Sequence, residues 1–134
     1  MEIILVRHTT PDIEKGICYG QSDIGLVDTY KEELTAVLKQ LPKDLDKYIC
    51  YSSPLQRCKI LAESISNTII FDDRLKELNF GDWELKKWDD IERSSLDIWM
   101  NDFINKPTKN GESYINLQQR TISFLEEIKF KKKR

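Results

Sequence analysis

Met1-Glu2-Ile3-Ile4-Leu5-Val6-Arg7-His8-Thr9-Thr10-Pro11, residues 1–11, opens the chain with an apolar run that stops at an Arg-His pair. Ile3 to Val6 is too short for a helix and is rich in branched side chains, which predicts a strand buried on both faces in a parallel sheet. In open α/β sheets ligands bind beyond the carboxyl ends of the strands, and Arg7 and His8 fall at that place. His8 is the one histidine in the sequence, so imidazole chemistry is confined to it. Alone, the pair also reads as a surface histidine beside a surface arginine.

Beyond the strand, Pro11 to Asp28 carries Gly16, Gly20 and Gly25 and the run Cys18-Tyr19-Gly20-Gln21-Ser22-Asp23. At about eighteen residues this is long for a connection, and loops of such length tend to be functional. Thr29-x-x-Glu32 matches a capping box, and Leu34, Val37, Leu38 and Leu41 follow at helical spacing until Pro42 ends the pattern. Tyr48 to Ser52 predicts a second strand. Ser53-Pro54-Leu55-Gln56 predicts a capped helix with proline at its first position, carrying Ile60, Leu61 and Ile65.

Thr68 to Phe71 is a third strand candidate, and Leu75 to Glu84 an aromatic-rich loop. A helical stretch through Trp88, Ile91, Leu96, Trp99 and Phe103 and a polar break over Lys106–Gly111 lead to a last helix from Ser113, with Leu117, Thr121, Phe124, Leu125 and Ile128 inward. Alternating strands and helices predict an α/β domain with a parallel sheet. After the last helix no further strand is left to receive the crossover.

At 134 residues the chain is one domain's worth, and 40% apolar with 33% charged is ordinary for a globular protein. Five of the last six residues are basic, so the rest holds 16 basic against 23 acidic residues, a net of −7. That acidic body lacks the footprint of a nucleic-acid binder, and Lys129 to Arg134 reads as a solvated, frayed tail and not as a membrane anchor. Cys18, Cys50 and Cys58 are odd in number and lack metal spacing, which points to reduced thiols in a cytoplasm. The start shows neither a signal peptide nor a membrane span.

The capped helix start near Ser53 would offer free N–H groups, and Arg57 adds a positive fork within its first turns. Both select phosphate. With Arg7, two guanidiniums could hold phosphoryl oxygens while His8 attacks phosphorus. Arg57 also reads as a solvated helix arginine. Glu77, between Leu75 and Leu78, is a candidate general acid if apolar neighbours favour its protonated form, or else an exposed loop glutamate. Gly81-Asp82-Trp83 reads as a tight turn with a core tryptophan, Trp88 and Trp99 as core or cover for the sheet, and the cysteines as small buried hydrophobes.

Leu5-Val6-Arg7-His8-Thr9, Ser52-Ser53-Pro54-Leu55-x-Arg57-Cys58 and Leu75-x-Glu77-Leu78-Asn79-Phe80-Gly81-Asp82-Trp83-Glu84, in this order, resemble the histidine phosphatase superfamily, in its phosphoglycerate mutase-like branch. Thr9 and the Gly16–Asp23 loop are most similar to α-ribazole phosphatases. The resemblance implies a three-layer phosphoglycerate mutase-like α/β fold with a mostly parallel central sheet over residues 1–128, followed by a basic tail at 129–134. It implies a cytoplasmic phosphomonoester hydrolase that uses no metal or cofactor and acts on a small molecule, α-ribazole 5′-phosphate in cobalamin nucleotide-loop assembly. His8 becomes the phosphohistidine, Arg7 and Arg57 bind phosphate, and Glu77 serves as acid and then base. Cys18, Tyr19, Gly20 and Gln21 meet the organic part of the substrate.

Two departures accompany the resemblance. Leu85 stands where the family usually has glycine. The family's second catalytic histidine, on a Val-Thr-His-Gly strand beside the first strand, would lie past Arg134, so the sheet is expected to lack its C-terminal strand. The Lys-rich end can be encoded by an adenine-rich run, in which a one-base slip would give a frameshifted copy. A downstream frame without a Thr-His strand would overturn that origin. The alternatives are a catalytically silent phosphate-ester-binding domain and an unstable fragment.

Overall fold

Apolar spacing decides where helices form in this chain, and hydrogen-bond partners decide where strands do. The computed structural model describes residues 1–132. Within them β1 (Cys50–Ser52) and β2 (Ile69–Phe71) pair in parallel, with Cys50 opposite Ile69 and Ser52 opposite Phe71. Between them runs α2 (Gln56–Ile65), the crossover a parallel pair requires. The chain forms two compact units, residues 1–13 with 23–73 and residues 14–22 with 74 onward.

In the first unit α1 (Tyr30–Leu38) forms as its spacing predicts, but without the expected capping box. The Thr29 side chain makes no cap bond, and its carbonyl accepts the Glu32 N–H at 3.1 Å. The helix closes before Leu41 through tight turns, Gln40 N–H to Val37 O at 3.0 Å and Leu41 N–H to Leu38 O at 3.3 Å. The start of α2 is also later than expected. Pro54 precedes the helix, and the Ser53 hydroxyl accepts the N–H of Leu55 at 3.3 Å, not that of Gln56. The Gln56 N–H instead donates to the Asp23 carboxylate at 2.7 Å, because a charged acceptor from the preceding loop outcompetes a hydroxyl for the first free donor.

The first predicted strand is not formed. Ile3–Val6 pairs with no strand among the described residues, and Leu5 is 91% exposed where burial on both faces was expected. A strand is stabilised by its ladder neighbours, and apolar content alone does not supply them. The chain is tied down after His8 instead. Val27 N–H donates to Thr10 O at 3.1 Å and Asp12 N–H to Gly25 O at 2.8 Å, around an antiparallel bridge of Pro11 with Leu26.

In the second unit Cys18, Trp83 and Ile91 are buried together, with Phe80, Trp88, Leu96 and Trp99 packed against them. The aromatic rings meet edge to face, Trp83 on Trp99 at 5.6 Å and Phe80 on Trp88 at 5.7 Å, geometry their quadrupoles favour. The expected helix through Trp88–Phe103 is divided. A single turn over Trp88–Asp90 and α3 (Arg93–Asn101) are separated by extended backbone at Ile91 and Glu92, whose carboxylate accepts the hydroxyls of Ser94 and Ser95. Then α4 (Tyr114–Lys132) opens on a reciprocal cap: Asn116 N–H donates to the Ser113 hydroxyl at 3.2 Å, and Ser113 N–H to the Asn116 carbonyl oxygen at 2.9 Å. The tail expected to fray from Lys129 is helical through Lys132, while Lys133 and Arg134 lie outside the described residues.

Leu85 shows what the absence of glycine does here. Its N–H donates to Cys18 O at 2.7 Å, its backbone is left-handed with φ of 66°, and its side chain stays 58% exposed. A side chain in that region costs about 1 to 2 kcal/mol, while glycine costs somewhat more chain entropy on folding. Leu85→Gly is therefore expected to stabilise the chain by about 1 kcal/mol, read as a raised melting temperature. A lowered one would mean that the Leu85 side chain contributes packing.

Candidate active site

The residues singled out by the sequence divide between the units: Arg7, His8 and Arg57 in the first, Cys18 to Gln21 and Glu77 in the second. In the first unit His8 is half-buried and its Nδ1 lies 2.7 Å from the carbonyl oxygen of Thr9. A carbonyl brings no proton, so Nδ1 is the donor and carries the hydrogen. In the neutral ring Nε2 then carries the lone pair, the form an attacking imidazole needs. Arg7 is exposed beside it.

Arg57, in the first turn of α2, is fully buried, which overturns the reading of a solvated helix arginine. A guanidinium removed from water is tolerated only where acceptors surround it, so this position is built and not incidental. The neighbouring helix start is not bare, as the sequence suggested. Gln56 N–H and Gln56 Nε2 both donate to Asp23, at 2.7 Å to its carboxylate and 2.9 Å to its carbonyl. Asp23 was read only as part of a loop. A lone aspartate many residues before a helix carries no signal that it will cap it.

The second unit is organised by two carboxylates. Glu84 accepts from Gly20 N–H at 2.9 Å, Gln21 N–H at 2.7 Å and the Ser22 hydroxyl at 2.9 Å. Glu112 accepts from Asn79 N–H at 2.9 Å and from Arg120 Nε at 2.8 Å. Arg120 continues to the carbonyls of Arg74 and Glu77, at 2.7 and 2.9 Å, and Gln21 Nε2 reaches the Glu77 carbonyl at 3.2 Å. Thus the backbone of Glu77 is pinned, while its side chain is exposed, as in the reading of a loop glutamate and not as in that of a carboxyl among apolar neighbours; of the nearby leucines only Leu78 is buried.

Two of the four residues expected to meet substrate do other work. Cys18 is sealed in the core, where burial first and the Glu84 charge second push its thiol up to about 12. It is a protonated, inert packing group. Gly20 is buried so close to the backbone of Leu78 that a Cβ would stand 1.8 Å from that carbonyl oxygen. Tyr19 and Gln21 are half-buried. Sequence reasoning missed Glu112 and Arg120, since eight positions in one polar segment and helix give no sign that the two side chains meet.

The model of the histidine phosphatase superfamily, branch 1, matches residues 3–134. A protein of Hydrogenobacter thermophilus, provisionally named phosphoserine phosphatase 2, is 31% identical over 136 residues, 95% of this chain and 66% of that protein. Among solved structures, mycobacterial glucosyl-3-phosphoglycerate phosphatase Rv2419c superposes with a TM-score of 0.76 at 21% identity, over 90% of this chain and 60% of its own. The α-ribazole phosphatase from Shigella flexneri gives 0.74 at 22%, over 87% and 61%. These two likenesses carry the fold, and the chain spans between 60% and 66% of these relatives' lengths. No helix of the described residues is long and apolar enough to cross a membrane.

Glu112 makes the second unit sensitive to acid. Burial works to raise its carboxyl, but the Arg120 bond and charge and the Asn79 N–H outweigh burial and hold it below its ordinary 4.5. A group lowered by folding contributes stability that is present above its unfolded value and lost as pH falls through the folded one. Melting temperature should therefore fall on acidification below about pH 4.5. Glu112→Gln should start lower at neutral pH and fall less steeply, and an unchanged slope would remove Glu112 as a source.

Proposed function

This chain belongs to the histidine phosphatase superfamily, and we propose that it hydrolyses phosphate monoesters through a phosphohistidine at His8. The observation that carries the reading is the commitment of His8 Nδ1 to the Thr9 carbonyl, which leaves Nε2 as the nucleophile. In the first step Nε2 attacks phosphorus, the P–N bond forms, and the ester P–O bond breaks. Glu77 gives its proton to the leaving alkoxide. In the second, Glu77 as carboxylate takes a proton from water, whose oxygen attacks phosphorus and releases phosphate from His8. Arg7 and Arg57 neutralise the phosphoryl oxygens, so that positioned cations do the work a metal ion does elsewhere.

For substrate we propose α-ribazole 5′-phosphate in cobalamin nucleotide-loop assembly, on the Gly16–Asp23 loop signature, with Tyr19 and Gln21 facing the organic part. Phosphoserine is the second reading, favoured by the 31% identical relative. We place the reaction in the cytoplasm and assign it no nucleic-acid or membrane partner. The family's second imidazole is not among these residues, His8 being the one histidine.

Phosphate release from both esters decides the matter. Wild type should turn over, and His8→Ala should lose roughly a thousandfold or more. Glu77→Gln should lose most turnover on esters with poor leaving groups and less on p-nitrophenyl phosphate, which needs no proton. Activity that survives His8→Ala would remove His8 as nucleophile. Ester binding without turnover would select a silent phosphate-ester-binding domain.

A further inference from the structure

We propose that Glu33, on α1, is a positioning residue for His8, acting through the peptide bond between Thr9 and Thr10. That bond is engaged at both ends. Its carbonyl, on Thr9, takes the His8 Nδ1–H at 2.7 Å. Its N–H, on Thr10, points at Glu33 Oε1 at 3.4 Å, and the Thr10 hydroxyl donates to the same oxygen at 2.5 Å. The hydroxyl bond anchors the carboxylate, and the N–H is directed at a negative charge.

A peptide group is a rigid plane, so fixing the direction of its N–H fixes where its carbonyl points. An anion at the N–H end also polarises the group, which makes the carbonyl oxygen a better acceptor for Nδ1–H. Both effects hold the proton on Nδ1 and keep Nε2 free. The other oxygen of Glu33, Oε2, is buried without a hydrogen-bond partner among the described residues. Retaining a carboxylate at such a cost calls for a task, and Oε1 has one. Because Glu33 sits on a helix, the tie lends a loop histidine the placement of a regular element.

The mechanistic meaning rests on His8 as nucleophile, but the link can be read without turnover. With one histidine in the sequence, a long-range proton–nitrogen correlation spectrum of the 15N-labelled full chain reports its tautomers without ambiguity. At a pH where the ring is neutral, wild type should show mostly Nδ1–H. Glu33→Met keeps length and helix propensity and removes the acceptor. It should lower the Nδ1–H to Nε2–H ratio roughly three- to tenfold, the worth of one ordinary hydrogen bond. Glu33→Gln retains an oxygen for both Thr10 donors and should restore the ratio to within about twofold.

Circular-dichroism melts establish that each variant is folded. Should Glu33→Met fail to fold, Thr10→Val decides, since removing the anchoring hydroxyl should lower the ratio in the same direction. An unchanged ratio in the folded variant, or an equal loss in Glu33→Gln and Glu33→Met, overturns the proposal. A tautomer that responds as described in a chain with no phosphatase activity would instead remove the functional reading and leave the Glu33 tie standing.

Discussion

The backbone donors of an irregular loop must find acceptors, and in the second unit one carboxylate collects them. Gly20 and Gln21 aim consecutive N–H groups at Glu84, and the Ser22 hydroxyl joins them. A carboxylate offers about four lone-pair directions, which lets it replace the ladder that neither strand nor helix provides here. Once the loop is closed on Glu84, Cys18 falls into the tryptophan core, Gly20 meets the backbone of Leu78, and Gln21 is brought to the Glu77 carbonyl. The same constraint explains why residues that read as a substrate-facing signature are in part structural. A loop held by its own N–H groups presents side chains only where it is not itself buried.

Helices were the legible part of the fold, because their signals are local. The Ser113 start, the apolar spacing of α1 and α2, and the parallel pairing of two short strands across a helix all follow from residues near one another in sequence. What was not legible involved partners far away. Asp23 displaced the expected serine cap of α2, Glu33 accepts from the distant Thr10, and Ile3–Val6 found no ladder among the described residues. Charge lets a distant carboxylate win a donor from a nearby hydroxyl, and spacing rules contain no term for that.

The candidate site follows the same division. Arg7, His8, Arg57 and Glu77 could be named from motif order, and the full burial of Arg57 shows a packed position where a surface one was also read. Their supporting residues could not be named. Glu112 and Arg120 hold the Glu77 backbone, and Glu33 the His8 loop, through contacts to peptide groups whose identity the sequence does not encode. Glu77 itself corrects an inference from neighbours: flanking leucines turn one side chain inward and leave the next outside.

The uncovered run Ile3–Val6 has a consequence for how this molecule behaves in number. Among the described residues its peptide groups join no ladder, and its side chains are apolar, with Leu5 91% exposed. Two such runs from separate molecules can zip together, and that encounter is second order in protein, while folding and turnover are first order. In such a pairing dilution would favour the monomer, and concentration would draw the backbone beside His8 into intermolecular hydrogen bonds.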